Sequence, residues 1–280
     1  MRLALALSLF LGAACGGGHR RAGAPRNQEG AVATEPFPTA PETTVASGPQ
    51  PSVEEGLPAA PPSGVGGQGL PPVVRSIVTD DPVVFVTIDD GWDKDPTVLP
   101  FLADHHIAVT AFLIGRVAVR TAPYWDTLLA QGGVVEDHTE THPTLAGHPL
   151  AFQRTEICSP LDDYQRLFGR RPTLFRPPYG SLDHTTVVAA RDCGLSDVVL
   201  WDATVSRGKL RRATPGPLRR GDVILLHWGP GLAGDLKALV AVLDSSGFQT
   251  ALLEDYLRPG AAPAAPPVGS EATTAPPRSA

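Results

Sequence analysis

The chain has 280 residues and a formal net charge of −6, and 42% of its residues are hydrophobic and 6% aromatic. Its 29 Gly and 30 Pro, about a fifth of the chain, are too many for one evenly packed domain and too few for a wholly disordered protein. The net negative charge excludes the basic composition typical of nucleic-acid-binding proteins, so we expect no nucleic-acid partner.

Glycine and proline are concentrated in two segments, residues 16–72 and 260–280. These segments hold Phe37 as their one aromatic residue and are otherwise rich in Pro, Gly and Ala. Such a composition does not bury enough apolar surface to offset the loss of chain entropy on folding. We therefore predict a disordered linker over 16–72, a single folded domain over 73–259 and a disordered tail over 260–280.

The amino terminus has the pattern of an export signal. A basic Arg2 precedes an apolar run over 3–11, which is far shorter than the ~20 residues needed to span a bilayer but fits the core of a signal peptide. The sequence LGAAC over 11–15 resembles a bacterial lipobox, in which Cys15 would be lipidated. We predict a signal peptide over 1–15 and a protein that is lipid-anchored to the membrane or, alternatively, secreted to the cell wall.

Two cysteines, Cys158 and Cys193, lie within the predicted domain. In an oxidising compartment an even number of cysteines is compatible with a disulfide. A bridge also requires the two Cα atoms to lie within about 7 Å, which the sequence does not reveal. A disulfide and two separate thiols therefore both stay open.

Strands and helices alternate through the predicted domain. The nearly continuous apolar run over 83–88 is typical of a strand that is buried on both faces of a parallel sheet. Further strands are predicted over 107–114, 134–135, 174–175, 198–201, 223–226 and 248–252, and helices over 96–104, 124–130, 152–168, 183–193 and 232–245. This alternation predicts an α/β fold with about seven parallel strands, slightly fewer than a regular eightfold barrel.

One basic run stands out against the acidic background. It consists of Lys209, Arg211, Arg212, Arg219 and Arg220. We expect a solvated loop, because charge runs lie mostly at the surface. Contact with an anionic wall polymer or with lipid headgroups is the alternative.

Polar residues follow several of the predicted strands. In parallel α/β folds the carboxyl ends of the strands meet at one edge and build the active site. We therefore expect these polar residues to converge there; they are Asp89, Asp90, Asp137, His138, Arg176, Asp202 and His227.

Three of these residues form a candidate metal set. Asp89 and Asp90 are adjacent and repel each other, so the pair is costly unless a cation or an arginine neutralises one of them. His138 and His142 would share one face of a helical turn and, with Asp90, would give two imidazoles and one carboxylate. Such a set leaves a coordination position for water, as catalytic zinc sites do. The alternatives are an Asp-Asp-Gly turn and two surface histidines.

Two further segments are candidates for catalysis. The Pro-Pro turn over 176–180 is rigid, its Arg176 could orient a carboxylate, and the backbone N–H of Tyr179 could face an oxyanion. His227 ends a buried strand and is a candidate general acid. A purely structural turn and a structural histidine are the alternatives.

Taken in order, these segments resemble the polysaccharide deacetylases of carbohydrate esterase family four, the NodB-homology domain. The matching stretches are TIDDG at 87–91, HTETH at 138–142, RPPYG at 176–180 and LLH at 225–227. The resemblance covers about 80–255 and implies a distorted (β/α) barrel.

The resemblance also implies a role for each matching residue. Asp89 would be the general base, held by Arg176, and Asp90, His138 and His142 would bind Zn²⁺ or another divalent transition metal. His227 would protonate the leaving amine, and Tyr179 would offer its backbone N–H to the oxyanion. Further residues would contact the substrate, namely Pro178, Tyr179, Leu225 and Trp201.

Two positions depart from the family pattern. Trp92 replaces a proline, which we expect to alter the substrate groove rather than the chemistry. Thr204 stands where the family has an aspartate that assists the acid histidine, and a groove tryptophan is missing. Asp202 is a candidate substitute for that aspartate.

The resemblance implies a zinc-dependent N-deacetylase of an acetylated cell-envelope polysaccharide, with peptidoglycan as the preferred substrate. One alternative is a metal-dependent O-acetyl esterase. Another is a catalytically weak, carbohydrate-binding lipoprotein. We expect a monomer in each case.

Overall fold

A computed structural model describes residue 67 and residues 69–257 of the chain. The predicted signal peptide, most of the predicted linker and the predicted tail lie outside the described residues. None of the helices in the described part is both long and apolar enough to cross a membrane.

The described chain alternates between strands and helices. The strands are β1 (Val73–Val74), β2 (Val83–Asp90), β3 (Val109–Leu113), β4 (Val134–Asp137), β5 (Leu174–Phe175), β6 (Asp197–Val199), β7 (Ala203–Ser206), β8 (Lys209–Arg212), β9 (Val223–His227) and β10 (Gln249–Thr250). The helices are α1 (Val98–Asp104), α2 (Gly115–Arg120), α3 (Ala122–Ala130), α4 (Leu150–Phe168), α5 (His184–Asp192), α6 (Leu232–Ser246) and α7 (Leu253–Leu257).

The strands form one curled, mostly parallel sheet, a half-barrel within an α/β fold. Their order is β1-β6-β5-β4-β3-β2-β9-β7-β8, and β10 pairs with β2. The pairing of β7 with β8 is antiparallel, and the other described pairings are parallel. The distorted barrel expected from the sequence is therefore confirmed.

The central strand β2 is buried on both faces. Val84, Val86 and Ile88 pack into one hydrophobic cluster, whereas Val83 and Phe85 pack into the cluster on the opposite face. Successive side chains of a strand point to opposite faces, so a strand covered on both sides needs apolar residues at nearly every position. This requirement explains the continuous apolar run over 83–88 and puts its polar end, Asp89 and Asp90, at one edge of the sheet.

Several predicted elements differ from the structure. The last predicted strand, 248–252, is reduced to Gln249–Thr250, and the short helix α2 was not predicted. The hairpin of β7 and β8 was also missed, because its second strand carries three basic residues in four positions and lacks an apolar alternation.

The prediction of a solvated basic loop is wrong for Arg212. Its guanidinium is buried and pairs with Asp222 (Nε to Oδ2, 2.8 Å) and Asp202 (Nη2 to Oδ2, 2.6 Å). Lys209 and Arg211 are exposed on the same strand, as expected.

Cys158 and Cys193 form a disulfide, with their Cα atoms 5.2 Å apart. It joins the middle of α4 to the residue that follows α5. In a chain-entropy model a bridge over a separation of this length contributes about 3–4 kcal/mol by restricting the unfolded chain. The alternative of two separate thiols is thereby excluded.

Two carboxyl groups, those of Glu136 and Glu254, are buried together beneath the sheet. Glu254 accepts a hydrogen bond from the Thr110 hydroxyl (2.9 Å), and Glu136 pairs with Arg170 (2.5 Å). Burial raises the pKa of Glu136 to about 8 and also raises the pKa of Glu254. Burial of the two carboxyls therefore favours their protonated forms.

This burial predicts a pH-dependent stability. A carboxyl whose pKa is raised on folding stabilises the fold fully at low pH, and that stability is lost as the pH rises through the folded-state pKa. Glu254→Gln keeps the shape and removes the titration, so it should flatten the pH dependence of the free energy of unfolding, by at most the ~1.4 kcal/mol per pH unit that one proton contributes. Urea unfolding from about pH 5 to about pH 8 measures this slope.

Asp244→Asn, at an exposed position on α6, is the matched control and should keep the wild-type slope. If the free energy of unfolding depends on pH equally in Glu254→Gln and in wild type, the pKa of this carboxyl does not change on folding.

Candidate metal and catalytic site

Residues from four strand ends meet at the carboxyl edge of the sheet. Asp89 and Asp90 end β2, His138 follows β4, Arg176 follows β5, and His227 ends β9. Asp89 and His227 are direct register partners in the parallel pairing of β2 and β9. The predicted convergence is therefore confirmed for these five residues.

Asp90, His138 and His142 form a compact three-ligand cluster. Each offers one ligand atom, and these atoms all lie within 4.8 Å of one another. Oδ1 of Asp90 lies 3.2 Å from Nε2 of His142 and 3.5 Å from Nε2 of His138. This oxygen is buried, and no donor in the described part of the chain forms a well-oriented hydrogen bond with it.

The tautomer of His138 is fixed by its second nitrogen. Nδ1 of His138 lies 2.7 Å from the backbone carbonyl oxygen of Arg176. Because a carbonyl can only accept, Nδ1 carries the proton in the neutral imidazole, and Nε2 presents a lone pair. This lone pair faces Oδ1 of Asp90, so two acceptors point at each other. A cation between them resolves this conflict, and the two-imidazole, one-carboxylate set therefore fits a divalent transition metal.

The protonation states of His142 and Asp90 suit metal ligands. Burial lowers the pKa of His142, so its imidazole is neutral at neutral pH. Burial by itself would raise the pKa of Asp90, but contact with His138 and His142 outweighs this effect and holds that pKa well below its usual value. Neutral imidazoles and an ionised carboxylate are the forms that bind metal ions.

The segment HTETH is not the helical turn that we predicted. Residues 138–142 form an irregular loop in which Thr139 (φ 66°) and His142 (φ 68°) adopt left-handed backbone conformations. The two imidazoles nevertheless meet, with ring centroids 4.9 Å apart. Asp90 (φ 77°) and Tyr179 (φ 60°) are left-handed as well. Non-glycine residues with positive φ are uncommon, and they concentrate at functional sites.

Arg176 is fully buried and pairs with Asp89. Its Nη1 donates to Oδ1 of Asp89 and to the Thr87 hydroxyl, each at 2.7 Å. Its Nε and Nη2 donate to the backbone carbonyls of Val199 and Leu200, each at 3.2 Å. Burial lowers the pKa of Arg176, and the Asp89 carboxylate opposes that shift. The other carboxylate oxygen of Asp89 faces His138, with Oδ2 3.7 Å from Nε2.

The predicted assistant to His227 has another partner. Oδ2 of Asp202 accepts a hydrogen bond from Nη2 of Arg212 at 2.6 Å. Thr204 is buried, and its register partner on β9 is Leu225 rather than His227. The candidate substitute Asp202 is therefore engaged by Arg212, and Thr204 provides no carboxylate beside β9.

The predicted substrate contacts differ in exposure. Tyr179 is 49% exposed and its ring packs against that of His142, with centroids 4.7 Å apart. Pro178, Leu225 and Trp201 are buried. Trp92, which is not among the predicted contacts, is 44% exposed beside Arg116, whose Cζ lies 5.6 Å from its ring centroid.

Two residues that support the site were not among the predicted site residues. The Thr87 hydroxyl accepts a hydrogen bond from Nη1 of Arg176, and the Glu156 carboxylate on α4 accepts hydrogen bonds from Thr141 in the 138–142 loop. Glu156 lies at helical spacing with the buried residues Pro160 and Tyr164. In the sequence, the sign of this role was the position of Glu156 on a largely apolar helix face, because a buried carboxylate needs a hydrogen-bond partner.

Comparison with known proteins identifies a family. The sequence profile described as polysaccharide deacetylase matches residues 76–198. An uncharacterized protein of Streptomyces coelicolor is 38% identical over 192 residues, which cover 66% of this chain and 77% of that protein. A peptidoglycan-N-acetylglucosamine deacetylase of Bacillus cereus is 31% identical over 169 residues, which cover 58% of this chain and 60% of that protein.

A solved structure has the same fold. It is a pseudoenzyme of carbohydrate esterase family four from Bacillus anthracis, 20% identical, with a TM-score of 0.59 over 67% of this chain and 69% of that one. A mutant of that pseudoenzyme with restored enzymatic activity matches with the same TM-score at 21% identity, over 67% of this chain and 72% of that one. At this identity the likeness establishes the fold alone.

The burial of Arg176 predicts a large loss of stability when it is removed. Arg176→Met leaves Asp89 as a buried, uncompensated charge, so we expect the free energy of unfolding in urea to fall by about 3–5 kcal/mol. The matched control is Arg166→Met, because Arg166 forms an exposed pair with Asp163 at 2.5 Å. Such a surface pair contributes about 0–1 kcal/mol. Equal effects of the two substitutions would contradict the buried ion pair as a source of stability.

Proposed function

Because this chain belongs to the polysaccharide deacetylase family, we propose that it is a metal-dependent hydrolase that removes N-acetyl groups from a cell-envelope polysaccharide. Among such polysaccharides, we propose peptidoglycan as the substrate. The relative from Bacillus cereus is a peptidoglycan-N-acetylglucosamine deacetylase, and the predicted signal peptide would carry the present protein to the envelope.

One observation carries the metal dependence. The lone pair of His138 Nε2 and the buried Oδ1 of Asp90 face each other at 3.5 Å, and His142 Nε2 lies 3.2 Å from the same oxygen. Two imidazole nitrogens and one carboxylate oxygen within 4.8 Å of one another form a donor set that suits a divalent transition metal. Asp90, His138 and His142 would hold Zn²⁺ or another divalent transition metal. When bound, such an ion supplies Lewis-acid chemistry that polarises the acetyl carbonyl and lowers the pKa of water.

The residues around this cluster have the chemistry of an acid–base pair. Asp89 is the proposed general base, because Arg176 fixes its Oδ1 and its second oxygen is left on the side of the metal cluster. His227, its register partner on β9, is the proposed general acid that protonates the leaving sugar nitrogen. The left-handed backbone at Tyr179 supports its proposed role of offering an N–H to the developing oxyanion.

The proposed substrate site lies around the exposed aromatic rings. Tyr179 contacts His142 directly, and Trp92 follows Asp90 by two positions. Aromatic rings present large, flat, apolar faces that suit the apolar face of a sugar ring. Pro178, Trp201 and Leu225 stay predicted contacts, although all three are buried.

A second candidate function is O-deacetylation of an acetylated glycan. It is favoured by Thr204, which replaces the aspartate expected to assist His227, and by the pairing of Asp202 with Arg212. A weaker acid handicaps amide hydrolysis more than ester hydrolysis, because an alkoxide is a better leaving group than an amide anion. A catalytically weak, carbohydrate-binding protein is the third candidate, because the same replacement by Thr204 would make His227 a less effective acid.

Acetate release separates these functions. The purified protein is incubated with peptidoglycan, chitooligosaccharides or acetylxylan, with added zinc or with a chelator. We expect acetate from peptidoglycan that disappears with the chelator and is slowed about a hundredfold or more in His227→Ala. His184→Ala, at an exposed position on α5, is the control and should match wild type.

Other outcomes would redirect the proposal. Acetate from acetylxylan alone would support the esterase, and glycan binding without acetate would support the non-catalytic alternative. Equal rates for wild type and His227→Ala would show that His227 is not the general acid.

A further inference from the structure

The metal candidate His142 sits on a strained and irregular segment. The 138–142 loop, the segment between the end of β4 and Pro143, has left-handed backbone at both Thr139 (φ 66°) and His142 (φ 68°). Such conformations cost free energy for non-glycine residues and persist only where surrounding contacts over-determine them. The contacts that hold this loop therefore decide where the imidazole of His142 lies.

All five backbone amides of the 138–142 loop donate hydrogen bonds. The first goes back to the sheet, from His138 to the carbonyl of Leu113. Two others stay within or next to the loop, from Thr139 to Asp137 and from His142 to the Thr139 hydroxyl. The remaining two, those of Glu140 and Thr141, both go to one residue of another element.

That residue is Glu156 of α4. Its backbone carbonyl accepts from the amide of Glu140 at 2.8 Å. Its carboxylate accepts twice from Thr141, from the amide to Oε2 at 2.9 Å and from the hydroxyl to Oε1 at 2.8 Å. A carboxylate is the side chain that can accept two such bonds at once, one on each oxygen. Glu156 thus clamps the loop at the residue directly before His142.

The clamp matters more for His142 than for His138. His138 is fixed independently, by its amide bond to Leu113 and by Nδ1 at 2.7 Å from the carbonyl of Arg176. The amide of His142 bonds to Thr139, which belongs to the same loop. Along the chain, the hydrogen bonds to another element that lie nearest to His142 are therefore those of the preceding residue, Thr141, to Glu156.

Helix α4 is itself well anchored, so it can act as a support. The Tyr164 hydroxyl donates to the carbonyl of Leu113 at 2.6 Å, and Ile157 is fully buried in the core. The disulfide from Cys158 fixes the same turn of the helix to the end of α5. Glu156 lies within this anchored turn.

We propose that Glu156 is a positioning residue that holds His142 in the geometry needed for metal binding. This inference rests on the proposed metal cluster of Asp90, His138 and His142. Partners that orient a metal ligand from outside its coordination shell commonly change metal affinity by about tenfold to a hundredfold when they are mutated. Glu156 would act in this way, through Thr141.

The test is the affinity of the purified protein for Zn²⁺, measured by competition with a chromophoric chelator. Glu156→Ala removes both side-chain acceptor oxygens from Thr141 and keeps the backbone carbonyl that accepts from Glu140. We expect its zinc affinity to fall by about tenfold or more. Thr141→Val removes the hydroxyl bond and keeps the amide bond, so its loss should be smaller. Because the two share one contact, the double variant should lose less than the product of the single losses.

Ile157→Val is the matched control. It removes one buried methyl group from the neighbouring position of the same helix, so it should lower the melting temperature while leaving the zinc affinity unchanged. This comparison separates a positioning role from a general loss of stability.

Zinc binding by the wild type and by the variants tests the metal site and the role of Glu156 separately. Wild-type zinc affinity in both Glu156→Ala and Thr141→Val would overturn the role of Glu156 and leave the metal site intact. A wild-type protein that binds no zinc would overturn the metal site and this inference together. If Glu156→Ala does not fold, Thr141→Val decides the question alone, because Thr141 is exposed and the substitution is mild.

Discussion

The buried ion pair of Arg176 and Asp89 is the constraint on which the rest of the site depends. The side chain of Arg176 bonds to Thr87 and Asp89 on β2 and to the backbone of Val199 and Leu200, so one guanidinium ties together three parts of the sheet. Its backbone carbonyl meanwhile fixes the tautomer of His138. A single residue therefore orients the proposed base through its side chain and a proposed metal ligand through its main chain. A buried charge is tolerated here because each of its donor groups has a partner.

The site combines this rigid centre with strained backbone around it. Asp90, Thr139, His142 and Tyr179 all have positive φ, and residues held in such regions cost on the order of 1–3 kcal/mol each. Strand β2, the turn after β5 and the clamp from α4 supply the contacts that hold them. The strained backbone therefore lowers stability at the edge where the ligand atoms converge. The two hydrophobic clusters on the faces of the sheet stabilise the fold.

The sequence predicted those features that follow from local patterns. The continuous apolar run of β2 indicated a strand buried on both faces, and the polar residues after β2, β4, β5 and β9 were expected to meet because parallel strands end at a common edge. Features that depend on tertiary contacts were not predictable. The left-handed residues in the 138–142 loop were assigned to a helical turn because the spacing of the histidines is equally compatible with one. The hairpin of β7 and β8 is stabilised by the burial of Arg212 between two aspartates, and nothing in a run of basic residues indicates such burial. The disulfide required a distance, 5.2 Å between Cα atoms, that no spacing could supply.

In the proposed site, Asp90, His138 and His142 together hold one divalent metal ion. The most direct test is the zinc content of the purified protein after equilibrium dialysis, compared with that of Asp90→Asn, which keeps the shape of the side chain and removes its charge. We expect one zinc ion per wild-type chain and a large loss in the variant. Absence of zinc from the wild type, or equal zinc content in both proteins, would contradict this metal site.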